Sequence, residues 1–227
     1  MLCRSEILTH SRPVSRLAIT ESLVVSCGED CSLTVIRLLT DGSLLVSHLL
    51  QGHVSRVRCV SVDGSLLLSG SDDRSAKVWE VASDSCGAVR TLSGHAWPVS
   101  GVCLAGGLAV TADTSTVRLW ACPAGLLLRT ISGLAGCQEV RLDLSAGCLL
   151  LSSHHANILC FSLQSDSDSA AAWEFRPDQP ADSSGGQVRL SLGHSSLAIL
   201  TSTSSSHYIT VLDFWSSTIP SSYCSVL

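Results

Sequence analysis

The sequence predicts an all-β fold built from about five repeats of one antiparallel meander. Three observations carry this. Apolar runs of strand length alternate with polar residues and end at turns rich in Gly and Asp. A large apolar residue closes each unit, at Ile36, Trp79, Trp120, Phe161 and Leu212, with intervals of 43, 41, 41 and 51 residues. No stretch keeps a helical period over a usable length.

The clearest unit is residues 52–79, GHVSRVRCVSVDGSLLLSGSDDRSAKVW. After Gly52-His53, Val57, Cys59 and Val62 mark a first strand, and Asp63-Gly64 turns the chain. Leu66 to Leu68 lead a second strand into Ser69-Gly70-Ser71. Asp72-Asp73-Arg74 makes the next turn, and Val78-Trp79 ends a third strand. Residues 94–120 repeat this plan with Gly94-His95 and Trp120, and residues 10–36 repeat it with His10 and Ile36. Residues 133–161 and 187–212 keep the register but lose the Gly-His start.

A Gly-His start, a Trp-acid end (Trp79-Glu80) and this period resemble the WD40 repeat of β-propellers. The resemblance covers residues 6–214 or so. It implies a WD40 β-propeller of about five four-stranded blades, with units at 10–50, 51–92, 93–131, 132–175 and 187–214. Residues 1–9 would be an outer strand that completes the last blade and closes the propeller; without that pairing the propeller is open or partial, with exposed edges. Residues 164–186 are an acidic, Ser- and Pro-rich insertion, and residues 215–227 a flexible tail.

In such blades a buried His, Ser, Asp and Trp form a hydrogen-bonded chain. The matching residues are His53, Ser69, Asp73 and Trp79. The first unit keeps His10, Ser26 and Asp30. The third keeps His95 and Trp120, with Thr114 in the acid slot and Asp113 one residue early. The fourth has His155 in that slot, and the fifth has Ser202 and Ser206 in the Ser and Asp slots. A His-Ser-Asp set also suits a hydrolase triad, but its place inside a repeat unit argues for structure instead.

Composition narrows the class further. The 227 residues are 45% hydrophobic and 15% charged, with a net charge of −5. No apolar run approaches the roughly 18 residues of a membrane helix, and the N-terminus has no apolar signal core. A cytoplasmic or nuclear location is therefore expected. The eleven cysteines are an odd number with no Cys-x-x-Cys pair, and are read as reduced thiols. Cys59, Cys103 and Cys160 fall on strands. Neither the turn pair Cys27 and Cys31 nor His154-His155 is read as a metal site, and no cofactor is expected. Net acidity disfavours nucleic acid as a partner.

The resemblance also implies where function sits. The loops bearing Gly-His and the Asp turn share one face, which in WD40 proteins commonly binds peptides. Register places Arg12, Arg56, Arg58, Asp72, Arg74, Trp97, Arg141 and Arg189 there. Arg58, Arg141 and Arg189 each follow a leading Val, and Ser15 and Ser100 fill that slot in the first and third units. The reading is a non-catalytic scaffold that binds peptides or partner proteins on this face. The alternative is the substrate receptor of a ubiquitin-ligase complex: Arg in this slot contacts phosphorylated degrons in F-box/WD receptors, and Val-Arg-Cys-Val resembles them. A complete receptor of that kind carries an F-box as well, and the sequence contains none. Catalysis of the glycosidase type needs two facing carboxylates, and the acids here do not repeat in pairs.

Overall fold

The computed structural model describes residues 7–40, 43–81, 86–134, 137–144, 148–153, 158–163, 173–175, 187–192, 196–202, 207–213 and 224–225. These residues form strands and no helix. Five four-stranded sheets result, and within each sheet every strand pairs antiparallel with the next in sequence. The first sheet comprises β1 (Val14–Ile19), β2 (Leu23–Gly28), β3 (Ser32–Leu38) and β4 (Leu44–Gln51). The second comprises β5 (Val57–Asp63), β6 (Leu66–Ser71), β7 (Ala76–Val81) and β8 (Cys86–Leu92). The third comprises β9 (Gly101–Ala105), β10 (Leu108–Ala112), β11 (Thr116–Ala121) and β12 (Leu126–Ser132). The fourth comprises β13 (Cys137–Asp143), β14 (Cys148–Ser153), β15 (Ile158–Ser162) and β16 (Trp173–Phe175). The fifth comprises β17 (Gln187–Leu192), β18 (Ser196–Ser202), β19 (His207–Asp213) and β20 (Cys224–Ser225).

Two compact units result. Residues 1–113 with 117–130 make the first, and residues 114–116 with 131–227 the second. In the first unit, β5 runs between β1 and β9. The two-residue period of a strand explains how the second sheet is buried on both faces. Leu67 and Trp79 join Leu23, Val25, Leu33 and Val35 in a core against the first sheet. Their immediate neighbours Leu68 and Val78 join Leu104, Ala109 and Trp120 against the third. Each such side chain contributes about 1.5–3 kcal/mol by leaving water. Gly70 sits where the second sheet meets the third: a Cβ there would fall 2.6 Å from Val99 Cγ1 and 2.7 Å from Cys59 Sγ.

Turn chemistry follows the sequence. Gly106 and Gly107 both take positive φ, 54° and 79°, as the tight hairpin between β9 and β10 requires. Asp63 Oδ2 accepts a bond from Gly106 N at 2.7 Å, and Ser61 Oγ one from Leu104 N at 3.0 Å, tying the second sheet to the third. In the second unit, β13 runs beside β17, and Val140, Leu142, Leu149, Leu150 and Leu151 are buried.

Two expectations about the ends change. Residues 7–9 form no strand. The outer partner of β19 is β20, through Ile209↔Ser225 and Thr210↔Cys224, so Cys224–Ser225 of the tail, and not residues 7–9, supply the fourth strand of the last sheet. The sequence gives β20 no alternating apolar run, which is why the Ser-rich tail reads as unstructured. Residues 1–6, the turns at 41–42 and 145–147, His154, His155 and all of 164–186 except Trp173–Phe175 lie outside the described residues.

A loop face anchored by three histidine networks

In the second sheet, His53 Nδ1 lies 2.7 Å from Asp73 Oδ2, and His53 Nε2 lies 2.8 Å from Ser69 Oγ. Trp79 Nε1 donates to the same Ser69 Oγ at 2.8 Å. Donors and acceptors assign one consistent tautomer. The Trp N–H donates to Ser, the Ser hydroxyl donates to Nε2, and the Nδ1–H donates to the carboxylate. Burial pushes the His53 pKa down, against the pull of Asp73, so the neutral ring is favoured. Burial alone would raise Asp73, but hydrogen bonds from Ser75 and His53 outweigh it and hold its pKa low.

The first sheet repeats the geometry. His10 Nδ1 is 3.0 Å from Asp30 Oδ1, and His10 Nε2 is 2.8 Å from Ser26 Oγ. Ile36, in the Trp slot, brings no donor. Burial raises the Asp30 carboxyl, yet bonds from His10, Ser32 and Ser11 overcome this and bring its pKa to about 2.

The third sheet corrects the sequence reading. His95 Nδ1 is 2.9 Å from Asp113 Oδ2, so Asp113 and not Thr114 is the acid. His95 Nε2 is 2.7 Å from Thr111 Oγ1, which also accepts from Trp120 Nε1 at 2.9 Å. The turn differs: Thr111 and Trp120 are 9 residues apart, whereas Ser69 and Trp79 are 10 apart, and the acid follows Thr111 by two residues but Ser69 by four. Counting back from Trp120 at the spacings of the second sheet therefore overshoots Thr111 by one residue and stops one short of Asp113, at Thr114. Thr111 is a residue the sequence reading missed. Its signal was the spacing of 16 from His95, shared by His10 to Ser26 and His53 to Ser69.

Ser32 and Ser75 were also missed. Each stands two residues after its acid and donates to it through both backbone N and Oγ. The intervening residues, Cys31 and Arg74, both hold φ of 65°, a conformation rare for side chains other than Gly. The Asp carboxylate bonded to the N–H two residues on is what holds this turn. In each network the Ser or Thr hydroxyl is buried, with Ser69 and Thr111 wholly so, and receives or gives bonds inside the fold. These networks clamp loops to strands; their hydroxyls are not presented to a substrate.

Of the predicted binding residues, Arg12 and Arg74 are exposed and Trp97 is 55% exposed. Val54, which the sequence reading did not single out, is 87% exposed. Arg56 Nη1 pairs with Glu29 Oε1 at 3.1 Å, and its Nε donates to Ser15 Oγ at 3.2 Å. Arg58 pairs with Asp72 of its own sheet. Two of the predicted guanidiniums are thus neutralised by neighbouring acids.

The shared Arg slot does not survive the pairing register. Arg58 is the extra residue where β5 shifts register between Val57 and Cys59, as Ser15 is in β1 between Val14 and Arg16. In β13 that residue is Gln138, and Arg141 pairs with Leu150 three positions on. In β17 pairing runs straight through, with Arg189 opposite Leu200. A Val-Arg dipeptide is too short a pattern to fix a register that a bulge sets.

Burial pushes the Cys27 thiol up to about 12 and raises Cys59 likewise; both are free thiols held inert in the core.

Residues 41–80 match the family model "WD domain, G-beta repeat". That segment is a WD40 repeat, and the matches support a WD40 family for the chain. Its sheets are WD40-type propeller blades, and the His networks are the hydrogen-bonded chains of that repeat. The chain is 45% identical over 56 residues to WD repeat-containing protein 18 of Bos taurus, covering 24% of this chain and 12% of that protein. It is 33% identical over 78 residues to F-box/WD repeat-containing protein 4 of Mus musculus, covering 34% of this chain and 18% of that protein. It thus spans less than a fifth of these relatives. Among solved structures it resembles the computationally designed Ika8 protein, with a TM-score of 0.71 at 16% identity, over 94% of this chain and 62% of Ika8. The designed Ika4 protein gives 0.60 at 20% identity, over 69% of this chain and 95% of Ika4. These likenesses show the fold. WD repeats in general support protein interaction.

Proposed function

We propose that this WD40 chain is a non-catalytic protein-interaction scaffold whose partner binds the loop face of the first three blades. The observation that carries this is the pairing of rigidity with exposure. Loops clamped by His10, His53 and His95 present Val54 and Trp97, two large apolar side chains facing water, beside charged residues. Rigid loops lose little entropy on binding, and Trp is enriched among the residues that anchor interfaces. The receptor alternative draws on the likeness to F-box/WD repeat-containing protein 4. It has less support, because Arg56 and Arg58 are paired with acids and Arg141 is out of the slot. A photo-crosslinking residue at Val54, compared with one at Ser65 in the hairpin between β5 and β6, tests the scaffold reading. Partner proteins should be captured from Val54 and not from Ser65; capture from Ser65 alone would overturn it.

A further inference from the structure

The boundary between the second and third blades differs from that between the first and second at three equivalent loop positions. Ser71 O accepts hydrogen bonds from both Arg74 N at 3.2 Å and Val99 N at 3.0 Å. One carbonyl therefore holds the Asp-turn of the second blade against the loop carrying Trp97 and Pro98. At the first boundary the corresponding residues are Cys31, Ser55 and Arg56, and Arg56 reaches across to neutralise Glu29. At the second boundary Pro98 stands in place of Arg56 and cannot do so. Asp72 turns back instead to Arg58 of its own blade. Arg74 is exposed, with no ion-pair partner among the described residues, and its turn is tied through the Ser71 carbonyl to the loop that carries the exposed Trp97.

Resting on the scaffold reading, we propose that this second boundary recognises an extended peptide in which an apolar side chain stands beside a carboxylate. The apolar side chain packs on Trp97 and Pro98, and the carboxylate pairs with Arg74. The charge arithmetic selects a carboxylate over a phosphate. A phosphoserine carries close to two negative charges and calls for more than one open guanidinium. Here one is open, and Arg56 and Arg58 are already held by Glu29 and Asp72. The two anchors differ in kind, so they fix direction as well as register: the ring selects area, and the planar guanidinium selects a bidentate acid.

The test is a random 12-residue display library selected against the whole chain, followed by fluorescence anisotropy with the enriched peptides. Enriched sequences should carry Asp or Glu within two residues of Leu, Phe or Trp. Trp97→Ala should weaken binding by about thirtyfold, and Arg74→Asn by about tenfold. Asn tolerates the left-handed backbone at residue 74, so the turn survives the exchange. Replacing the acidic residue of the peptide by Ala should match the Arg74→Asn loss and add nothing to it. Peptides that need Trp97 but carry no acid and ignore Arg74→Asn would overturn the inference and leave the scaffold reading standing. Peptides indifferent to both variants and to Val54→Ala would overturn the two together, as would a selection that enriches nothing. A hundredfold gain on exchanging the acid for phosphoserine would also overturn it.

Discussion

His53 and Asp73 are joined through Nδ1 and Oδ2 at 2.7 Å, and this bond links the Gly-His loop to the turn between β6 and β7. The His53→Ala variant removes the imidazole acceptor of the buried Ser69 hydroxyl and one donor to the Asp73 carboxylate. It should lose about 1–3 kcal/mol of stability in chemical denaturation. A loss within error would mean the network does not hold the loop.

The acid assignment in the third blade can be separated from its neighbour. Asp113 is fully buried against His95, so Asp113→Ala should cost about 3 kcal/mol. Thr114→Ala should stay within about 0.5 kcal/mol. Equal losses would return Thr114 to the acid slot.

Acid should unfold the chain in two stages of one sign. The neutral forms of His53 and His95 are favoured by burial, so their pKa values lie below the ordinary 6.5. The unfolded chain then binds more protons as pH falls below about 6.5, and stability drops. Asp30, held at about 2 against an ordinary 3.8, adds a second loss as pH falls from about 3.8 toward 2. Denaturation midpoints measured from pH 7.5 to 3 should fall throughout, and the upper limb should flatten in a His53→Gln, His95→Gln double variant. A midpoint that rises on acidification from pH 7 to 5 would contradict the neutral-ring assignment.

Gly70 should tolerate no side chain, because any Cβ meets both Val99 and Cys59. Gly70→Ala should cost roughly 1–3 kcal/mol by overpacking. Gly87, with open space around its Cβ position, should tolerate Ala within about 0.5 kcal/mol. Thermal unfolding of the two variants side by side checks this.

How far the sequence could be read depended on whether a feature was local. The strands of the first three blades and the His53-Ser69-Asp73-Trp79 chain were legible because alternation and fixed spacing are written in adjacent residues. Thr111 was obscured by a hydroxyl-to-Trp spacing one residue shorter, and Asp113 by a turn that sets the acid two residues after the hydroxyl instead of four, so a count from Trp120 misses both. Arg141 was misplaced because a bulge at Gln138 sets the register, and a bulge leaves no mark in a two-residue motif. The pairing of Arg58 with Asp72 and of Arg56 with Glu29 is a matter of side-chain reach across turns and between blades. The exposed Trp97 was legible as a position; that Arg74 stands without an ion-pair partner among the described residues was not, since it follows from Asp72 pairing with Arg58.

Hydrogen–deuterium exchange of the whole chain, alone and bound to a partner captured through Val54, tests the central claim most directly. The account predicts protection concentrated in residues 53–57, 72–75 and 96–99, the loops that carry Val54, Arg74 and Trp97. Protection confined to the outer strands β4, β8 and β12, with those loops unchanged, would contradict it.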